Sequence, residues 1–162
     1  MLERVRSLLL AESPNNIQVK RDYDTSLPEL IGDKEKLIQA VLNISRNAVQ
    51  AMLSDANQDN ATITLRTRSE RQITLNRKRY RVAIKLEIID NGPGIPAKMI
   101  DKIFYPLVTG HAGGSGLGLS LAQTFITQHH GMIDCHSKPG NTCFTILLPV
   151  ESTVIKNAVI EQ

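Results

Sequence analysis

Three groups of residues in this chain are of types and spacings that could do chemistry together. Asp90 closes an apolar run containing Leu86, Ile88 and Ile89, where an ionised carboxylate is costly unless something satisfies it. The exocyclic amine of a purine would do so, through a charge-assisted hydrogen bond worth roughly 1.5–3 kcal/mol. The other reading is an Asx turn, which Asp90-Asn91-Gly92 can form unaided. Gly92 and Gly94, followed by Ile95, leave out side chains where a flat ring would lie close to the backbone. Further on, Gly114, Gly116 and Gly118 expose amides at the start of a helix, where the dipole favours an anion, while Leu117 and Leu119 alternate inward and pin that end. Upstream, Asn43 and Asn47 are four residues apart and so project from one side of a helix. Their neutral amide oxygens suit magnesium, which is commonly held jointly with substrate phosphates. A base reader, an anion cradle and a hard-cation ligand make up a site for Mg-ATP.

Rival motifs fail on their context. Gly92-Pro93-Gly94-Ile95-Pro96-Ala97 fits the dinucleotide fingerprint formally. Pro93 and Pro96 disturb the helix that the fingerprint needs, and no strand follows at βαβ length. A P-loop is excluded because Lys98 lacks the glycine before it and the Ser or Thr after it. Cys135 and Cys143 near His129, His130 and His136 match no zinc spacing, and strand alternation sends Cys135 and His136 to opposite faces.

These groups need a scaffold to hold them. Leu2, Val5, Leu8 and Leu9 fall at helical spacing before a break at Ser13-Pro14, and residues 1–16 read as the remnant of a preceding helix with its linker. A half-buried strand follows from Ile17 to Tyr23. Asp33 is placed to cap a helix running to about Leu53, with Leu37, Val41, Ile44, Ala48 and Ala51 as its core stripe. Strands are expected over Ala61–Arg68 and Arg79–Ile89, the second with Val82, Ile84, Leu86 and Ile88 as its apolar series, and Ser69–Lys78 as a polar hairpin extension. A short helix over Met99–Phe104 and a loop over Phe104–Gly114 come next. Then follow a helix from about Gly116 to His129 with Leu117, Leu121 and Phe125 inward, and two strands, Met132–Ser137 and Thr142–Leu148. This order predicts an α+β fold, a two-layer α/β sandwich whose mixed sheet of about five strands carries three main helices on one face. Residues 17–150 are the expected domain, and residues 151–162 a loose tail.

At 162 residues, 41% hydrophobic and 22% charged, the chain has the balance of one globular domain with a real core. No apolar run reaches membrane-spanning length. Two cysteines argue for a reducing compartment, so a cytoplasmic location is expected. The basic cluster Arg66, Arg68, Arg71, Arg77, Lys78, Arg79 and Arg81 reads as a solvated hairpin flank or a site for an acidic partner, and direct nucleic-acid binding is not expected.

In this order, the motifs resemble the ATP-binding catalytic domain of sensor histidine kinases. Asn43-Ile44-Ser45-Arg46-Asn47-Ala48 is similar to the N box, Asp90 to Gly94 to the G1 box, Phe104-Tyr105-Pro106 to the F box, and Gly114 to Leu119 to the G2 box. Phe104 to Gly110 and the basic stretch resemble the nitrogen-regulation branch. The resemblance implies the GHKL, or Bergerat, ATPase fold, with ATP and magnesium as cofactors. By residue it implies Asp90 on the adenine, Asn47 on the metal, Asn43 near the phosphates, and Gly116 and Gly118 giving amides to the phosphates. Phe104 would anchor a mobile lid that includes Thr109 and Gly110 and ends at Gly114. Arg46 is left with two readings, contact to a phosphate or partner domain, or a surface salt bridge. The implied partners are the protein's own dimerisation domain carrying the phosphoacceptor, the response regulator NtrC and the PII signal protein, in a homodimeric kinase. The acceptor histidine of such kinases is followed by a carboxylate that acts as base. Here His111, His129, His130 and His136 are followed by Ala112, His130, Gly131 and Ser137, so the acceptor is expected before Met1. A nucleotide-dependent docking module without chemistry of its own is the alternative function.

Overall fold

The computed structural model describes residues 1–106 and 118–156. In chain order the elements are α1 (Leu2–Glu12), β1 (Gln18–Asp22), α2 (Lys34–Leu53), β2 (Thr62–Leu75), β3 (Lys78–Asp90), α3 (Ala97–Ile100), α4 (Gly118–Gln128), β4 (Met132–Lys138) and β5 (Asn141–Pro149). The five strands form one mixed sheet in the order β1-β2-β3-β5-β4. β1 and β2 pair in parallel, the arrangement a helical crossover allows, and α2 is that crossover. The other pairings are antiparallel. The two-layer α+β expectation holds.

Asp33 caps α2 as expected, its carboxylate accepting from Lys36 N–H at 3.1 Å. Below the cap, Leu37, Val41, Ile44, Ala48 and Met52 turn into one core with Ile63 and Leu65 of β2, Leu86 and Ile88 of β3, and Phe144 and Ile146 of β5. The opposite face of the sheet carries an ion-pair ladder. Arg66 and Arg68 both bond Asp22, at 2.8 and 2.9 Å, and hold its carboxyl below the usual range. Two arginines of the basic cluster are thereby neutralised within the sheet, which divides that cluster from the residues of the hairpin.

Helix α1 packs on α2, with Val5 (0% exposed) and Leu9 (1%) in the core. The expected hairpin extension is present, ending at a tip where Asn76 and Arg77, with φ of 50° and 65°, make the two-residue turn that a twisted hairpin favours. Two expectations need correction. On α4 the buried residues are Ala122 and Ile126, with Leu119 packed beside them, while Leu121 faces outward at 39% exposure. Leu121 is one position before Ala122, about 100° around the helix, so the inward stripe runs through 119, 122 and 126 instead. Finally, the segment after Pro149 is not loose through Lys156. Val154 bridges Tyr80, Ile155 N–H donates to Arg79 O at 2.8 Å, and Thr153 Oγ1 receives Val82 N–H at 3.2 Å. Tyr80, Leu75 and Ala83 form a satellite core beneath this segment, with Val154 packed on it. Among the described residues, no helix is long and apolar enough to cross a membrane.

His129 joins the two long helices. Its Nδ1 lies 2.8 Å from Phe125 O, and its Nε2 accepts Asp33 N–H at 2.9 Å, which requires the neutral ring with the proton on Nδ1. A Cβ at Gly32 would come within 2.6 Å of that ring, so the glycine makes room for the contact. Replacing His129→Ala removes the acceptor of an exposed amide and is expected to cost about 0.5–1 kcal/mol. Thermal denaturation should show a melting point lowered by about 1–4 °C, and an unchanged melting point would contradict the role.

Candidate functional site

Asp90 ends β3 with its side chain on the core face, 6% exposed. Among the described residues it receives a single hydrogen bond, from Gly92 N–H to Oδ1 at 2.9 Å. The Asx turn read from the sequence is therefore present. It engages one oxygen and leaves the carboxylate short of donors, so burial pushes its pKa up to about 6 against the pull of the Gly92 amide. Gly92 is confined, since a Cβ there would lie 2.9 Å from Asp90 Oδ1 and 3.0 Å from Met52 Cγ. Gly94 has φ +88°, and a Cβ there would meet the backbone of Lys138 at 3.0 Å. Ile95 is partly buried and packs against the core.

Helix α2 runs from this turn to the start of α4. Met52 meets the Gly92 end, and at the other end Asn43 Nδ2 donates to Gly118 O at 3.4 Å. Gly118 opens α4, and a Cβ there would sit 3.7 Å from Asn43 Cβ. Nine residues of helix separate the two contacts, about 13 Å of axis, and Asn47 lies between them, half-buried. Gly92 thus meets α2 at Met52 and Gly118 meets it at Asn43; nine positions set those two side chains about 180° apart around the helix, with Asn47 about 40° from Asn43. No grouping of three His, Cys, Asp or Glu able to hold a metal occurs among the described residues. A cation here would rely on neutral amide oxygen and on a ligand's own phosphates, which fits the donor set of Asn47 and magnesium's habits.

Arg46 makes a salt bridge, one of its two readings. Its Nε lies 3.1 Å from both carboxylate oxygens of Glu12, at the end of α1. Both side chains are half-exposed, so the pair contributes at most about 1 kcal/mol and serves to fasten α1 to α2. Phe104 is anchored edge-on to the buried Phe144, with ring centroids 6.2 Å apart. Thr109, Gly110, Gly114, Gly116 and Leu117 lie outside the described residues.

Sequence reasoning missed Asn91. Its Oδ1 accepts Thr62 N–H at 2.9 Å and its Nδ2 donates to Asn60 O at 2.8 Å, fixing the turn after Asp90 to the start of β2. The Asx-turn motif drew notice to Asp90, and nothing in the spacing marked its neighbour as the brace.

The sequence profile described as "Histidine kinase-, DNA gyrase B-, and HSP90-like ATPase" matches residues 32–152. The chain belongs to this ATPase family. Among curated relatives, it is 49% identical over 150 residues to the sensory histidine kinase/phosphatase NtrB of Vibrio alginolyticus, an alignment covering 93% of this chain and 42% of that protein. This family member thus spans less than half the length of such relatives. Among solved structures, the catalytic domain of histidine kinase ThkA superposes with a TM-score of 0.72 at 23% identity, covering 93% of this chain and 92% of that one. Full-length ShkA in complex with AMPPNP gives 0.71 at 20% identity, covering 95% of this chain and 30% of that one. Those two likenesses concern the ATPase fold alone.

The Asp90 environment makes a prediction about stability. Its folded pKa of about 6 exceeds the unfolded value near 3.9. The folded state therefore binds the proton more tightly, and stability falls as pH rises from about 4 to about 6, by roughly 3 kcal/mol in all. Asp90→Asn keeps an acceptor for Gly92 N–H without the charge. In a melting-point series against pH, the nucleotide-free variant should be the more stable protein at pH 7 and lose its advantage below about pH 4. Equal stability at pH 7 would contradict the burial cost.

Proposed function

We propose that this domain binds Mg-ATP and donates the γ-phosphoryl group to a histidine on a separate dimerisation domain of a nitrogen-sensing two-component kinase. The observation that carries the reading is Asp90, a buried carboxylate with one hydrogen bond from the described residues, set at a turn whose glycines leave room for a ring. An adenine amine supplies the missing donor. The phosphates then run along α2 toward Gly118, where the amides opening α4 and Gly116 receive them, with Asn43 beside them and Asn47 on the magnesium. Bound magnesium would neutralise phosphate charge, while the chain's own residues orient the nucleotide and keep its base dry. By the resemblance, Phe104 would anchor the lid that includes Thr109, Gly110 and Gly114, and its ring is held against Phe144.

The 49% likeness to proteins named sensory histidine kinase/phosphatase NtrB supports the wider assignment. In the whole protein, a cytoplasmic homodimer, the phosphohistidine passes its phosphoryl group to the response regulator NtrC, and PII governs the balance with the reverse reaction. Arg46, tied to Glu12, acts in this scheme by holding α1 in place.

Two measurements test the reading. Asp90→Asn should weaken ATP binding by about tenfold or more in calorimetry, since one acceptor face becomes a donor; equal affinity would remove adenine recognition from Asp90. With labelled ATP, the chain alone should remain unlabelled, and an added dimerisation domain should become phosphorylated on histidine. Binding without any transfer to that acceptor would favour the docking-module alternative.

A further inference from the structure

Behind the turn that follows Asp90 lies a pair of hydroxyls that the motifs do not single out. Ser137 Oγ, near the end of β4, accepts Ile95 N–H at 2.8 Å and lies 2.6 Å from Thr142 Oγ1 on β5. Ser137 and Thr142 face each other in the β4–β5 register, and Thr142 is also the register partner of Asp90. Thr142 is 3% exposed. One hydroxyl therefore links the strand opposite the carboxylate to the far end of the Gly92–Ile95 turn. Two backbone contacts flank this link: Gly140 N–H donates to Gly92 O at 2.8 Å, and Gly94 abuts the Lys138–Pro139 peptide. The β4–β5 hairpin thus grips the turn at Gly92, Gly94 and Ile95, and only the third grip is made by a side chain. On its outer side Ser137 borders a groove of about 580 Å³ with Ile95, Pro96 and Ile100, so a change there has room.

We infer that Ser137 is a positioning residue for base recognition: its hydroxyl holds the Gly92–Ile95 turn in the shape that lets Asp90 and the glycines receive an adenine. The inference rests on the ATP reading above. Without that hydroxyl, the Ile95 amide loses its acceptor and the β4–β5 hairpin holds the turn at two points instead of three. The strand core is untouched, because Ser137 sits at the end of its ladder, one pair from the closing turn. A base-end effect is common to ATP and ADP, whereas a phosphate-end effect would separate them.

The test compares Ser137→Ala and Ser137→Thr with the parent chain in calorimetry with ATP and with ADP, alongside amide exchange in the nucleotide-free protein. In Ser137→Ala, both nucleotides should bind about five- to tenfold more weakly, by the same factor, the net effect of one hydrogen bond. Exchange at Ile95 should speed up while that of Leu86 and Ile88 stays slow. Ser137→Thr keeps the hydroxyl and should restore both affinity and protection. Unchanged affinity in Ser137→Ala, or a loss confined to ATP, overturns the inference. So does a loss that Ser137→Thr shares while Ile95 stays protected. Failure of the parent chain to bind either nucleotide overturns the ATP reading instead, and the Ile95 exchange rate then still decides whether Ser137 holds the turn.

Discussion

A carboxylate kept out of water, with one donor among the described residues, is the constraint around which this domain is organised. Asp90 sits on the core face at the last position of β3, between apolar neighbours that would exclude an ionised group if folding alone set the sequence. The Gly92 amide offsets only part of the desolvation, and burial holds the pKa near 6. Such a residue costs stability in the empty protein and recovers it when a ligand brings a donor. Much of the surrounding structure limits how that carboxylate can move. Asn91 fixes the turn to β2, the β4–β5 hairpin grips it from behind, and Met52 of α2 closes on Gly92.

Helix α2 carries the consequence to the other end of the site. It shows one fully buried stripe to the core, and Asn43 and Asn47 lie half-buried beside that stripe instead of on an exposed face. Its position is set at several points: the Asp33 cap and His129 at the start, Glu12 on Arg46 in the middle, and Val5 and Leu9 of α1 along its side. Among the described residues, the sheet's other face carries ion pairs between its strands. There the Asp22 and Arg66 ladder satisfies the charges among its own strands, and the basic residues left over lie on the hairpin, at the opposite end of β3 from Asp90.

Much of this was legible in the residues, for physical reasons that differ by element. The period-two and period-3.6 apolar patterns gave the strands and α2 because each buries one continuous face. The chemistry at Asp90 was legible because a charge after an apolar run contradicts its surroundings, and such contradictions mark sites. Three features were not legible. Leu121 looked inward because it lies four residues before Phe125, which does pack on the core, and only packing against α2 puts the buried face at Ala122, about 100° from Leu121. The segment from Glu151 to Lys156 has little periodicity of its own and gains its order from the free edge of the hairpin, a partner distant in sequence. Ser137 and Asn91 act through hydrogen bonds to backbone far along the chain, and composition carries no trace of such pairing.

The most direct test of the account is the titration of Asp90 itself, followed through its carboxyl carbon by NMR with and without saturating adenosine, which carries the amine but no phosphate. The free domain should show an Asp90 pKa near 6, and adenosine should lower it as the amine stabilises the charged form. An Asp90 that titrates near 3.8 in the free domain, or whose titration does not respond to adenosine, would contradict the claim that this buried carboxylate is kept to read a base.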